Sequence, residues 1–318
     1  MSSSRTPTLP DGVPVPTVTD GTVAIAPPGE GSGYWAGGPS AQLVDGIFYL
    51  AYRVRRPIGE GRGYANVVAR SEDGVHFETI AVLEKDDFGA ESLERPSLVH
   101  TPDGKWRLYI SSNTPHTKHW WVDMLEADNP ADLNAASRVT VLPGDDTEAV
   151  KDVVIKYHEG SWHMWATCHP LTDPDATDRM ITRYATSADG IEWTWESVAM
   201  TGRSGHWDSR GARLAAVYLD GDRPVAFYDG RASFEENYEE RTGIAVGDDL
   251  THFTAISDDV DLQSPWGTGG LRYIDIVKLP NGDYRLYYEL CRPDGAHDLR
   301  TEVVAGTGEL RGDQRAAA

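Results

Sequence analysis

Charged residues stand just before four apolar runs in this chain. Glu94-Arg95 precedes Ser97-Leu98-Val99, Lys151-Asp152 precedes Val153-Val154-Ile155, Asp208-Ser209-Arg210 precedes Leu214-Ala215-Ala216-Val217, and Arg272-Tyr273 precedes Ile274-Asp275-Ile276-Val277. Polar residues also close the aromatic-rich runs that follow, among them Arg53, His169, Asp229-Gly230-Arg231 and Glu289. Carboxylates facing one another across a pocket suit glycosidic bond chemistry, in which one stays protonated to assist the leaving oxygen while the other activates water or attacks carbon. A neighbouring arginine or lysine keeps one carboxylate ionised, and partial burial raises the other. Asp152 is the expected catalytic carboxylate, with Asp208 and Glu94 as its partners. Arg53, Arg95, Lys151, His169, Arg210, Asp229, Arg231, Arg272, Tyr273 and Glu289 are expected to bind and orient substrate. So many bases together, in a chain of formal charge −21, point to an anionic group on that substrate. The alternative for any single residue is a structural ion pair between neighbouring strands.

A repeat must bring these residues together. The turns Asp45-Gly46, Asp103-Gly104, Glu159-Gly160, Asp220-Gly221 and Asn281-Gly282 each join an apolar run to an aromatic-rich one, and their glycines lie 58, 56, 61 and 61 residues apart. Such dipeptides supply the positive backbone torsions of tight hairpins. A second turn falls midway through the repeat: Ser71-Glu72-Asp73-Gly74 matches Ser187-Ala188-Asp189-Gly190, with Asp132-Leu133 and Asp249-Leu250 in the corresponding places. Two hairpins per repeat, five times over, predict an all-β fold, a five-bladed β-propeller with four antiparallel strands per blade. The starts of first strands and the ends of second strands then share one face and converge on a central funnel, opposite the Asp-Gly turns. Thr22-Val23-Ala24-Ile25-Ala26 is expected to complete the last blade and close the ring, which would remove an exposed edge. The expected organisation is a flexible segment over 1–20, a single propeller domain over 21–305 and a tail over 306–318.

Composition narrows the partners. The 318 residues are 40% hydrophobic and include 10 Trp and 14 Tyr, enough for a large core. The acidic balance argues against nucleic acid and anionic membrane, which need a basic face. No stretch approaches the ~18 apolar residues that cross a bilayer. The first twenty residues lack a basic segment followed by an apolar one, and two cysteines make no disulfide framework; both favour a cytoplasmic protein. Cys168 and Cys291 read as small buried apolar groups. The ten His residues show no tight ligand spacing, so no metal or other cofactor is expected. Strand alternation sends Trp120 and Trp121 to opposite sides. The stretch Glu235–Arg241 reads as a surface loop or as a lid over the funnel.

With these residues in view, positions 34 to 305 resemble the five-bladed propeller glycosidases: glycoside hydrolase families 43, 62, 32 and 68, and the family 130 phosphorylases and hydrolases. The resemblance rests on blade number, on phrases such as Pro96-Ser97-Leu98-Val99-His100-Thr101-Pro102-Asp103-Gly104-Lys105-Trp106-Arg107-Leu108-Tyr109, and on acids at inner-strand starts. It implies a glycosidase-like enzyme acting on a small saccharide or glycoside. In families 43 and 62 the first inner strand starts with a general-base Asp, commonly followed by Pro; here Gly38-Pro39 stands in that place. Family 130 carries Glu-Asp-Pro-Arg in blade two, to which Glu94-Arg95-Pro96-Ser97 is similar with Arg in place of Asp. Lys151-Asp152 and Cys168-His169-Pro170 also resemble its phrases. A basic cluster holds inorganic phosphate in that family, which implies the same role, or the holding of a substrate carboxylate, for Arg53, Lys151, His169 and Arg231. The missing first-blade Asp keeps three alternatives open: a glycoside phosphorylase, a lyase or isomerase on the same scaffold, and a sugar-binding propeller without catalysis.

Overall fold

The computed structural model describes residues 9–306 and is all-β, with twenty strands and four short 3-10 turns. In chain order the strands are β1 (Thr22–Ile25), β2 (Trp35–Val44), β3 (Ile47–Arg55), β4 (Gly63–Ser71), β5 (Glu78–Glu84), β6 (Ser97–His100), β7 (Trp106–Asn113), β8 (Trp120–Ala127), β9 (Arg138–Leu142) and β10 (Glu148–His158). There follow β11 (Ser161–Pro170), β12 (Ile181–Ser187), β13 (Thr194–Thr201), β14 (Ala212–Tyr218), β15 (Val225–Gly230), β16 (Arg241–Gly247), β17 (Phe253–Ala255), β18 (Leu271–Lys278), β19 (Tyr284–Cys291) and β20 (His297–Val304). β6–β9, β10–β13 and β14–β17 are four-stranded antiparallel sheets, each strand paired to the next in sequence. The remaining eight strands form one sheet that divides at a single parallel pair, Trp35 with His297. On one side of it lie β2–β5, and on the other β18–β20 with β1 paired antiparallel to β20.

Local chemistry sets the hairpins. Asp45 and Gly46 (φ 52° and 81°), and Glu159 and Gly160 (φ 49° and 84°), both adopt left-handed torsions, as a two-residue turn matched to strand twist requires. In the second turn series Ser71 Oγ accepts from the amides of Asp73 and Gly74, and Asp73 Oδ1 accepts from those of Val75 and His76. Ser187 and Asp189 repeat the pattern with Gly190, Ile191 and Glu192. Each glycine turn docks on a tyrosine of another hairpin: Tyr109 donates to Gly190 O and Tyr287 to Gly74 O, both at 2.9 Å.

The core lies between sheet faces. Trp165 and Val154 of one sheet meet Leu214, Val217, Tyr228 and Phe253 of the next, and Val99 and Tyr109 meet Val150, Ile155 and Trp162. Each such side chain withdraws enough apolar surface to contribute roughly 1.5–3 kcal/mol. Of the segment expected to be flexible, residues 9–20 pack on the fold: Val18 is buried against the β15, β18 and β19 cluster, and Thr17 Oγ1 donates to Glu302 Oε2 at 2.9 Å. The expected tail lies outside the described residues from 307 onward. Among the described residues no helix is long and apolar enough to cross a membrane.

Candidate functional site

One bulge recurs where the inner strands begin. Pairing slips between Gly37 and Ser40 in β2, between Lys151 and Val154 in β10, and between Arg272 and Asp275 in β18. The residue after each slip starts, Gly38, Asp152 and Tyr273, has φ of 61°, 52° and 55°. A bulge re-aims side chains at a strand end. Lys151, Arg272 and Tyr273 at two of these slips line a cavity of about 710 Å³. Of the expected site residues, Arg53, Glu94, Lys151, His169, Arg231, Arg272 and Tyr273 line that cavity.

The expected trio of facing carboxylates does not form. Glu94 lines the cavity and is held by Arg53, with Arg55 at 3.7 Å. Asp152 lies beneath the lining with no exposed surface. Its Oδ2 is 3.2 Å from Arg213 Nη1 and 3.3 Å from the Tyr273 hydroxyl, and its Oδ1 accepts the Arg95 amide. Asp208 is outside the cavity altogether. It sits in the 202–211 loop ahead of β14, not on the strand, and its Oδ2 accepts from Arg203 Nε at 2.8 Å and the Tyr228 hydroxyl at 2.9 Å. Arg210 also misses the cavity lining and pairs with Asp178.

Charges in the lining pair with buried carboxylates behind it. Arg213 faces Asp229 across the β14–β15 pair, and Arg272 faces Glu289 across β18–β19. The first hairpin has Gly37 opposite Arg53. A Cβ on Gly37 would lie 1.8 Å from Glu289 Oε2, so the glycine admits the fifth hairpin's carboxylate, which reaches Arg53 Nη2 at 3.3 Å. Arg95 is buried outside the cavity lining, and its guanidinium donates to Pro39 O and to Ala215 O. Tyr273 is stacked under Arg213, 3.9 Å from ring centre to guanidinium carbon.

The environment separates the titrations. Burial lowers Lys151 to about 8, against the pull of Asp152. Burial also holds His169 well below the ordinary histidine value, with Lys151 and Arg231 adding to it, so its ring is neutral. Burial raises Asp229 to about 6 although Arg213 opposes it. Burial would likewise raise Glu240, but Arg272, Arg213 and Arg231 outweigh it and hold the carboxylate well below its usual range. Lys151 Nζ stands 4.8 Å over the Trp120 ring, so Trp120 is the cavity-facing member of its pair, while Trp121 packs on the other side against the β6–β8 core.

Several lining residues lie outside the set expected from the sequence. Arg213 lies three residues beyond the arginine chosen, and Glu240 and Tyr238 come from the acidic stretch before β16. Phe234, Glu235, Asn237, Tyr238 and Glu240 all border the cavity, so the lid reading of that stretch fits better than the surface-loop one. The signal for Arg213 is its place immediately before the apolar run Leu214–Val217. Glu240 had none.

No protein-family model and no curated protein matches the chain. Solved structures share its fold. An α-L-arabinofuranosidase from Lactobacillus brevis superposes with a TM-score of 0.64 at 16% identity, over 84% of this chain and 90% of that one. A structure described with the GH130 family of mannoside phosphorylases, as containing glycoside hydrolases that target β-1,2 mannosidic linkages in Candida mannan, gives 0.60 at 18% over 93% and 96%. The GH43_1 enzyme from Xanthomonas citri complexed with xylotriose gives 0.59 at 15% over 89% and 91%. The chain thus has the fold of the propeller glycosidases.

Proposed function

We propose that this protein is a carbohydrate-active enzyme, a five-bladed propeller whose ring is closed by β1 on β20, acting at a glycosyl bond of a small saccharide with an anionic group at the site. The observation that carries this reading is the cationic cavity in an acidic chain. Arg53, Arg62, Lys118, Lys151, Arg213, Arg231 and Arg272 line it against the carboxylates of Glu91, Glu94, Asp178, Glu235 and Glu240, a basic excess in a chain that as a whole is −21. Arg53 Nε, Arg231 Nε, Arg272 Nη2 and His169 Nε2 have no hydrogen-bond partner among the described residues. Buried donors left unmade are costly, about 1–3 kcal/mol each. A substrate carboxylate or a phosphate ion, reached by small side-chain rotations, would satisfy them with charge-assisted bonds.

Glu94 and Glu240 are the carboxylates we assign to the bond-breaking step, because both border the cavity. Arg272, Arg213 and Arg231 keep Glu240 ionised for the role of base or nucleophile, and Arg53 and Arg55 hold Glu94 as a second carboxylate at the cavity wall. Asp152 and Asp229 position Lys151, Arg213 and Tyr273 from below. The test is a screen of neutral and uronic aryl glycosides with and without phosphate. Turnover of at least one, lowered ~10²–10⁴-fold in Glu94→Gln, is expected. Turnover untouched by Glu94→Gln would remove that assignment.

The arginine pairing of Glu94, Asp152 and Asp208 favours a second reading, a non-hydrolytic relative or a saccharide-binding propeller. It predicts calorimetric binding of an acidic saccharide with no hydrolysis or phosphorolysis in the same screen.

A further inference from the structure

We propose that Glu239, Cys291 and His297 form a zinc site that ties the 232–240 loop to the β19–β20 hairpin. One ligand atom from each residue lies within 4.8 Å of the other two. His297 Nε2 is 3.2 Å from Glu239 Oε1, the separation that two ligands of one tetrahedral ion at ~2 Å adopt. The other ring nitrogen, Nδ1, is 2.8 Å from Glu289 Oε1. Its N–H therefore donates to a carboxylate and leaves the Nε2 lone pair for the metal, the outer arrangement that fixes metal-bound histidines.

The site is built as well as populated. Cys291 and His297 are buried, and the Cys291 backbone is pinned by its amide to Gly270 O at 2.9 Å and by Ser264 Oγ on its carbonyl at 2.8 Å. Two glycines press the main chain against the ligand atoms: a Cβ on Gly267 would fall 2.7 Å from Cys291 Sγ, and one on Gly270 would fall 2.6 Å from Glu239 Oε2. Thiolate and carboxylate together neutralise a dication, and the imidazole binds as the neutral ring. On binding, the Cys291 thiol and the His297 Nε2–H each release a proton to solvent, and the sulfur and Nε2 bond to zinc. A thiolate with an imidazole selects zinc over magnesium or calcium. Three protein ligands leave the fourth position to a water. Without the ion, the same ring bridges Glu239 and Glu289 as an imidazolium.

The consequence is local order at the cavity. Glu239 sits between Tyr238 and Glu240, and Tyr238 holds a φ of 78°, a torsion that bulky residues adopt only under constraint. Zinc on Glu239 would fix both neighbours in the cavity wall.

The test uses the full chain stripped with a chelator and titrated with Co²⁺, then Zn²⁺. A thiolate-to-cobalt charge-transfer band that saturates at a single equivalent and is displaced by Zn²⁺ is expected. Cys291→Ser should abolish the band, Cys168→Ser should keep it, and Glu239→Gln should weaken Zn²⁺ binding at least ~10-fold. If Cys291→Ser does not fold, the wild-type spectrum and Glu239→Gln decide. Absence of the band in the wild type, or its survival in Cys291→Ser, overturns the site. The readout is metal binding, so its result is independent of whether a glycoside turns over.

Discussion

At Lys151 the cost of burial falls on a charge that an anionic ligand needs. Its ammonium loses the proton near 8 in the fold and near 10.4 in an unfolded chain. Between those values the unfolded chain binds a proton that the folded one has released, so this residue makes stability rise with pH across that window. Affinity for an acidic saccharide should move the opposite way, weakening above pH 8. Lys151→Gln should flatten both trends, as urea titrations and calorimetry at stepped pH would reveal. Asp208 gives the complementary case. It accepts from Arg203 and Tyr228 away from the cavity, so Asp208→Asn should cost roughly 2 kcal/mol of stability and leave saccharide affinity within twofold. A loss of binding at full folding would return Asp208 to the site. Residue types at strand starts were legible, but their aim was not. Arg210 and Arg213 look interchangeable in sequence, and only the strand boundary, which falls between them, sends one to Asp178 and the other to Asp229 and Asp152.

Among the elements, the turns were readable because their chemistry is local. An Asp-Gly pair or a Ser-x-Asp-Gly box satisfies its own amides, and the pairing of Thr22–Ile25 with β20 followed from counting strands. The bulges were not readable, since a register slip is defined only against a partner strand. They change the meaning of Gly38. It stands at the same step as Asp152 and Tyr273, with φ 61°, and a Cβ there would sit 3.3 Å from Arg95 Cβ. Gly38→Asp, which restores the acid of families 43 and 62, should therefore destabilise by about 1–2 kcal/mol. It should add no turnover. A thermal melt and the glycoside screen check both halves, and a gain of hydrolysis would show that the first strand can still carry a base. The 232–240 loop was also opaque: its acids pair with Arg231, which abuts it, and with Arg272 and His297 from much later in the chain.

On the scale of the molecule, one side chain meets all five inner hairpins. Arg95 follows Glu94 ahead of β6, donates to Pro39 O in β2 and to Ala215 O in β14, offers its amide to Asp152 in β10, and lies 5.8 Å from the ring of Tyr273 in β18. Arg95→Met should therefore loosen the coupling between hairpins as well as lower stability. The expected urea transition is broader, with a smaller slope than the wild type; an unchanged slope would mean that the hairpins are coupled through the sheet faces alone. The same guanidinium is tied to main-chain oxygens rather than to side chains, so no neighbouring substitution short of a change of strand register can take its partners away.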